Sequence, residues 1–328
     1  MYEQKDITVI VPTYNRWEDV KKTLNKLKPH ISKLKEVIVV DQSTDKKTFE
    51  LIKKIKNKKV KYVFSKTPSI TIARNIGVKK TNKETKIICF IDDDVDLGEN
   101  YFTEILKIFK EYKGAKGAAA YVPSNDIRNM DKIEKLLRKI FCLSFPEDEN
   151  ARIISAYGNT YPSKLSKIIK SQWISGVNMA YKRSVFKEQS FDENLLGYTI
   201  AEDIDFSYRL SQKHQNSLYI TPYANLLHRV SSVERYPTEK MSYINQIDHF
   251  YFNFKNLNKT FKQKLIFAWS ILGISILRSI KFLFSRREID YLKMKFYFKS
   301  LFYCLRNIKK IKEGKLREFM NKEHHNKT

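Results

Sequence analysis

Three aspartates stand in a row at Asp92-Asp93-Asp94, directly after the apolar run KIICFI (86–91). Adjacent carboxylates repel one another unless a cation or solvent relieves them. Hard oxygen donors suit Mg2+ or Mn2+, ions that bridge a protein carboxylate to the phosphates of a substrate. A second acidic group, Glu202-Asp203-Ile204-Asp205, opens a stretch with helical spacing. Acids in a first helical turn are favoured by the macrodipole in any protein. A carboxylate held there is also well placed to act as a general base. Two further polar clusters follow apolar runs: Pro12-Thr13-Tyr14-Asn15-Arg16 and Asp41-Gln42-Ser43-Thr44-Asp45. Within Trp173–Tyr181 the small-residue turn Ser175-Gly176 lets a ligand approach the backbone closely. His228, at the end of a short apolar run, taken alone reads as a structural histidine.

These groups need elements to hold them. Strand-like runs cover Ile7–Val11, Glu36–Val40, Val60–Phe64 and Lys86–Ile91, with a fifth expected over Ala118–Val122. Helical spacing fills the gaps, over Trp17–Leu27, Phe49–Ile55, Ile70–Val78 and Tyr101–Tyr112. Strands alternating with helices of this length predict βαβ units and a mostly parallel sheet. The continuous apolar runs fit a sheet covered on both faces. Ligands of such sheets bind at the carboxyl ends of the strands, where three of the polar clusters fall. Past Pro123 the alternation breaks. An amphipathic stretch (Lys132–Phe141), a strand region (Trp173–Tyr181), a helix (Glu202–Gln212) and two short strands (Leu218–Ile220, Asn225–His228) follow. From Glu239 the pattern is helical, aromatic-rich and basic.

The chain has 328 residues, enough for one large domain or two smaller ones. Aromatics at 13% exclude low-complexity disorder. Three isolated cysteines (Cys89, Cys142, Cys304) argue against a disulfide scaffold or a zinc ribbon and make a reducing compartment the default. The net charge is +26, and residues 229–328 contribute +14 of it. Such a field calls for a polyanionic partner: nucleic acid, an acidic membrane surface or an anionic substrate. Solvated lysine-rich helix faces are the plain alternative. No secretory leader is expected, and Leu265–Leu277 falls short of the roughly 20 apolar residues of a spanning helix.

In this order the pieces VIVPTYNR (9–16), VVDQSTD (39–45), IARNIG (72–77), FIDDDV (90–95), SGVNMAYKRSVF (175–186), FDE (191–193) and AEDIDFSYRL (201–210) resemble the family 2 glycosyltransferases of GT-A fold, over roughly residues 5–230. The resemblance implies a Rossmann-like α/β catalytic domain over 1–235. Its nucleotide-sugar half would be 1–123 and its acceptor half 124–235, with a basic helical extension over 236–328. It implies that Pro12, Thr13, Tyr14 and Asn15 line a nucleotide pocket, that Asp41 bonds the base, and that Arg74 and Asn75 lie near the nucleotide or its diphosphate. Asp92-Asp93-Asp94 matches the family's Asp-x-Asp element: Asp93 would meet the ribose, and Asp94, with Asp92, would hold Mn2+ or Mg2+ on the diphosphate. His228 lies where some members place a further metal or diphosphate contact. Asp203 matches the catalytic base, with Glu202 beside it. Trp173, Ser175, Gly176 and Asn178 fall on the acceptor side. The family inverts the anomeric centre. Gln-x-x-Arg-Trp, found in processive synthases, does not follow the Glu-Asp element, which implies transfer of a single sugar.

The expected partners are therefore a nucleotide-diphosphate sugar and a glycan or lipid-linked acceptor. The aromatic and basic tail adds an anionic membrane surface, which puts the protein on the cytoplasmic face of a membrane. Rival readings are a nucleic-acid-binding protein and a sugar-nucleotide-binding protein without transferase activity. No helix-turn-helix, RNP or zinc signature supports the first.

Overall fold

The computed structural model describes residues 2–123, 130–195, 197, 199–233 and 237–316. Thirteen strands are present among these residues: β1 (Ile7–Thr13), β2 (Glu36–Asp41), β3 (Val60–Phe64), β4 (Ile87–Ile91), β5 (Val95–Leu97), β6 (Gly117–Ala120), β7 (Phe145–Pro146), β8 (Ile153–Ser155), β9 (Gly158–Tyr161), β10 (Ile169–Ser171), β11 (Asn178–Lys182), β12 (Leu218–Thr221) and β13 (Leu226–His228). The chain divides into two compact units. One comprises Met1–Pro123, Lys164–Glu193 and Glu202–Arg235; the other comprises Ser124–Ser163, Asn194–Ala201 and Tyr236–Thr328. The helical unit thus also takes in two segments from before residue 236.

The first unit is built on a sheet of order β10-β12-β6-β11-β4-β1-β2-β3. β1 pairs in parallel with both β2 and β4, and β2 with β3. Every residue of β1, β2, β4 and β6 is buried, as a sheet covered on both faces requires. One cover is the cluster of Val9, Val11, Val37, Val39, Cys89 and Ile91 with Leu24, Leu27, Phe102 and Ile105 of the flanking helices. The other is aromatic: Phe191 stacks on Phe206 at 4.3 Å, and Phe90, Tyr181 and Phe186 close around them. The predicted mostly parallel α/β architecture is what the molecule has.

β11 runs against its neighbours β4 and β6, with Asn178 opposite Ile91. Its first residue therefore lies at the edge where β4 ends. The strand expected over Trp173–Tyr181 begins only at Asn178. Before it the chain turns, since Asn178 N–H donates to Ser175 O at 3.2 Å and the Ser171 hydroxyl accepts from Trp173 N–H at 3.0 Å. β13 pairs antiparallel with β5, which sets His228 opposite Val95, the residue after the third aspartate.

The second unit holds the helix Lys132–Ile140, the small sheet β7-β9-β8, and the helices Thr238–Phe252, Phe261–Ser285, Glu288–Arg306 and Ile308–Lys312. Thr260 and Gln263 form a reciprocal capping box that starts Phe261–Ser285. Arg286, in the left-handed region at φ 50°, ends it. This helix is 25 residues long, with a mean hydropathy of 1.6 in its most apolar 18-residue window, and so is long and apolar enough to cross a membrane. The helix runs past Leu277, where the apolar run ends ahead of Arg278 and Lys281. The helix continues because Arg and Lys are good helix formers, and Arg278 lays its guanidinium over the Tyr297 ring at 5.1 Å. In the same unit, Asp248 accepts from the Thr199 hydroxyl (2.6 Å) and from Ile200 N–H (3.0 Å).

Candidate active site

The carboxyl ends of β1, β2 and β4, the loop before β11, the start of the helix Glu202–Lys213 and the segment after β13 meet in the first unit. Parallel pairing aligns the first three, and the reversed β11 delivers the fourth. Asp92 N–H donates to Val177 O at 3.1 Å, which ties the aspartate turn to the 173–177 loop.

Arg74 stands at the centre. It is buried on the helix Ile70–Lys80, over the Phe191 ring at 5.4 Å. It donates to Glu202 Oε1 at 2.9 Å and to Gly176 O at 3.2 Å, and it pairs with Asp92 Oδ1 at 3.5 Å. Burial works against its charge, but Glu202, Asp92 and Asp203 together hold its pKa above the ordinary value. Gly176 N–H donates to Asp203 Oδ2 at 2.6 Å, and Ile204 N–H donates to Asp203 Oδ1 at 2.7 Å. A Cβ at Gly176 would lie 3.1–3.3 Å from Arg74, Asp203 and Glu202 at once. The small-residue turn is there because three charged groups converge on its backbone.

The three aspartates occupy different environments. Asp94 accepts from His228 Nε2 at 3.1 Å and from Ser231 N–H at 2.7 Å. Burial pushes its pKa up, but these hydrogen bonds and the charges of His228 and Arg16 outweigh that and bring it down to about 2. Asp93 accepts from the Thr13 hydroxyl at 2.6 Å and lies 3.4 Å from Arg16 Nη1; burial still dominates and pushes it up to about 7. Asp92 is raised to about 6, by burial and then by Asp94 and Glu202 against the pull of Arg74. Its side chain keeps 30% exposure, so water tempers that rise. Asp203 is raised to about 7 by burial and by the charge of Glu202.

Asp92, Asp94 and His228 each offer a ligand atom, and these atoms all lie within 4.8 Å of one another. Two carboxylates and an imidazole, one carboxylate part-exposed and one kept ionised, suit a divalent cation that retains open positions for a substrate. His228, ordinary in the sequence, reaches this group through the β13–β5 pairing.

The other expected residues fall as follows. Thr13 and Asn15 lie at the end of β1, and Asn15, in the left-handed region at φ 54°, receives Thr44 N–H at 2.9 Å. Pro12, buried in β1, lies beside Val40 of β2, and Tyr14 follows the strand in the turn. Asp41 is buried, with its oxygens taken by Ser43 N–H (2.9 Å) and the Tyr62 hydroxyl (3.0 Å). Asn75 turns to Phe191 O and Glu193 Oε1, both at 2.9 Å, and so fastens the FDE segment to its helix. Asn178, expected on the acceptor side, is fully buried: its carboxamide accepts from Ala120 N–H at 2.6 Å and bridges β11 to β6 inside the sheet. Trp173 and Ser175 are half-buried in the loop before β11.

Arg16, the last residue of the first polar cluster, pairs with Asp93. Two contributors lay outside the sequence reading. Arg229 binds the Thr23 hydroxyl at 3.0 Å, Asp93 O at 3.2 Å and Asp96, locking the aspartate turn from behind. Ser231 supplies its backbone N–H to Asp94. Adjacency to His228 was the available signal for both.

The family pattern described as "Glycosyl transferase family 2" matches residues 8–189. An uncharacterized glycosyltransferase from Rickettsia bellii is 28% identical over 194 residues, and glycosyltransferase GlyA from Streptococcus pneumoniae serotype 4 is 24% identical over 193. Each match takes in 58% of this chain, which spans about a quarter of the length of those relatives (24% and 26%). Among solved structures, GalNAc-T7 with UDP, GalNAc and Mn2+ is similar at a TM-score of 0.58 and 15% identity, over 91% of this chain and 57% of that one. The mannosyltransferase PcManGT from Pyrobaculum calidifontis, in complex with GDP-Man and Mn2+, is similar at 0.57 and 13%, over 93% and 87%. The two structural likenesses establish a shared GT-A fold. The pattern, spanning more than half of the residues and running through the strand ends that carry the acids, establishes more: this chain belongs to glycosyl transferase family 2.

Proposed function

We propose that the protein is a metal-dependent, inverting glycosyltransferase that moves one sugar from a nucleotide-diphosphate donor to an acceptor hydroxyl. The observation that carries this reading is the Arg74 bridge. It joins the strand-end acids, through Asp92, to Glu202 and Gly176, and Gly176 in turn holds Asp203. Donor-side and acceptor-side carboxylates therefore share one edge of the sheet. The nucleotides and Mn2+ in the two structural neighbours support the choice of ligand.

Asp92, Asp94 and His228 would hold Mn2+ or Mg2+, which when bound offsets the charge that builds on the leaving diphosphate, a contribution of several kcal/mol. Asp93, on its short bond from Thr13, is the candidate contact to the ribose, and Thr13, Tyr14, Asn15 and Asp41 would surround the nucleoside. Arg74 and Asn75 act from beneath: Arg74 positions the acids and pulls the pKa values of Asp92 and Asp203 down against burial, and Asn75 holds the FDE segment. Asp203 accepts the proton of the incoming hydroxyl. An alcohol is a much weaker acid than a protonated aspartate, so the proton moves late, as the attacking oxygen becomes cationic. The raised pKa of Asp203 makes it a stronger base than an ordinary aspartate. Its two N–H contacts fix the carboxylate's direction.

The acceptor in this reading is a lipid-linked or cell-surface glycan precursor, met by a protein lying on the cytoplasmic face of a membrane. The test is a panel of nucleotide sugars with Mn2+, read first by thermal shift, because ligand binding raises apparent stability by mass action, and then by release of the nucleoside diphosphate. A stabilising sugar nucleotide that is also turned over supports the proposal. No stabilisation by any member, with and without metal, overturns it.

A further inference from the structure

The helical unit carries two apolar stripes that water alone leaves unexplained. On the helix Phe261–Ser285, Phe261 (75% exposed), Leu265, Trp269, Leu272, Leu283 and Phe284 (87%) all face outward. At about 100° per residue they fall within an arc of about 140°, a largely apolar face interrupted by exposed Lys262 and by the buried Gly273. The opposite side is occupied by the protein: Phe267 packs edge-on against Phe250 at 5.1 Å, and Arg278 lies over the Tyr297 ring. The second stripe belongs to Lys132–Ile140, where Ile133 (72%), Leu136 and Ile140 project together at i, i+3 and i+7. This short helix buries none of its residues. Its end is fixed beside the first stripe. Trp269 Nε1 donates to Ile140 O at 2.8 Å, and Phe141 packs so closely on Gly273 that a Cβ there would meet it at 2.2 Å.

The charge around these stripes selects the partner. Residues 261–312 hold thirteen Lys and Arg against Glu288 and Asp290. Asp290 is already engaged by the Ser285 hydroxyl (2.8 Å) and Arg287 (2.9 Å). Lys262, Lys264, Lys281, Arg286 and Arg287 are exposed at the ends and flank of the apolar helix. A second copy would bring the same positive field against itself, and a nucleic acid has no use for a wide apolar face. An anionic bilayer surface matches both features: apolar side chains enter the acyl boundary while the cations meet the headgroups.

We infer that Phe261–Ser285 and Lys132–Ile140 together form an in-plane docking surface for anionic lipid. This inference deepens the proposed membrane location and rests on that reading. Length and composition alone would let the longer helix span, but one side of it is packed against its own protein and Arg278 lies in that packing. The helix lies in the interface.

The test is flotation of the purified full-length protein with vesicles of phosphatidylcholine, with or without about one-third phosphatidylglycerol. The wild type floats with the anionic vesicles and binds neutral ones at least about tenfold more weakly, and salt weakens the binding. Leu265→Glu/Phe284→Glu lowers partitioning about tenfold or more, and Ile133→Glu/Leu136→Glu lowers it measurably. All of these positions are exposed, and thermal melts verify folding. Equal partitioning of wild type and variants overturns the inference. So does a lipid-free dimer in light scattering that Phe284→Glu dissolves, or retention in membranes after alkaline carbonate, which marks a spanning helix. Donor hydrolysis is followed in the same samples. A wild type that turns over donor without floating loses only the docking surface; one that floats without hydrolysing any donor loses only the transferase reading.

Discussion

The aspartate turn and the Glu-Asp pair use the same side chain for opposite ends. Asp94 is surrounded by donors, His228 and the Ser231 N–H, and is held ionised far below the ordinary range. Asp203 also takes two N–H bonds, but it is half-buried beside Glu202, and desolvation and that charge lift its pKa to about 7. Hydrogen bonding alone therefore does not set the outcome. Burial raises both groups, and the neighbours decide the rest: the His228 and Ser231 donors and the charges of His228 and Arg16 overcome it at Asp94, whereas Glu202 adds to it at Asp203. The first arrangement suits a cation ligand and the second a group that must accept a proton. Arg74 reaches both, through Asp92 and Glu202.

The largest effect that can break this division is at Asp203. Asp203→Asn should lower transfer about 10²–10⁴-fold while donor affinity stays near that of the wild type. Turnover within a few-fold of wild type would remove the base from this position. Next comes the cation side. Excess chelator should stop turnover, with Mn2+ or Mg2+ restoring it, and Asp94→Asn should raise the half-saturating metal concentration about tenfold or more, since changes behind metal ligands alone cost about 10–100-fold. Full activity in chelator would end the metal reading.

Protonation gives a subtler test. In the folded protein Asp92 (about 6), Asp93 (about 7) and Asp203 (about 7) lie above the roughly 3.9 of an unfolded aspartate. The metal-free native state therefore binds more protons than the unfolded chain between about pH 4 and 7, so its stability falls as pH rises through that window. Asp94 acts in the other sense, with its contribution present above the unfolded value and lost as pH falls toward 2. A divalent cation needs the ionised forms, so the Tm increase caused by Mn2+ should be larger at pH 8 than at pH 5; equal shifts would contradict the arrangement. The smallest effect concerns Glu202. Transfer should rise with pH through about 7, and Glu202→Gln, which removes the like charge beside Asp203, should move that rise down by ~1 unit or less. An unchanged profile would separate Asp203 from the titration.

Much of this was legible in the chain because local rules and tertiary outcome agree. Buried parallel strands need unbroken apolar runs, so β1, β2 and β4 could be read directly, and the acids that end them followed. The Arg74 network could not be read that way. Its helix has weak amphipathic spacing, and Glu202 lies 128 residues away. The place of Asn178 also escaped, since an Asn in an apolar stretch looks like a site residue until its carboxamide is found stitching two strands. Periodicity likewise ended the long C-terminal helix too early. Arg278 breaks an apolar count without breaking a helix, since arginine is a good helix former, and the ring of Tyr297 receives its charge.

The reversed direction of β11 has a consequence for which parts of the rim can vary. In an all-parallel sheet only segments that leave a strand reach the reactive rim, and each is bound to the helix it starts. Here a segment arriving from Ser171 reaches the rim as well, carrying Trp173 and Ser175, and it begins no helix of its own. Its outer part can lengthen or change sequence while the acids on the opposite strands stay as they are, provided the single hydrogen of Gly176 is kept.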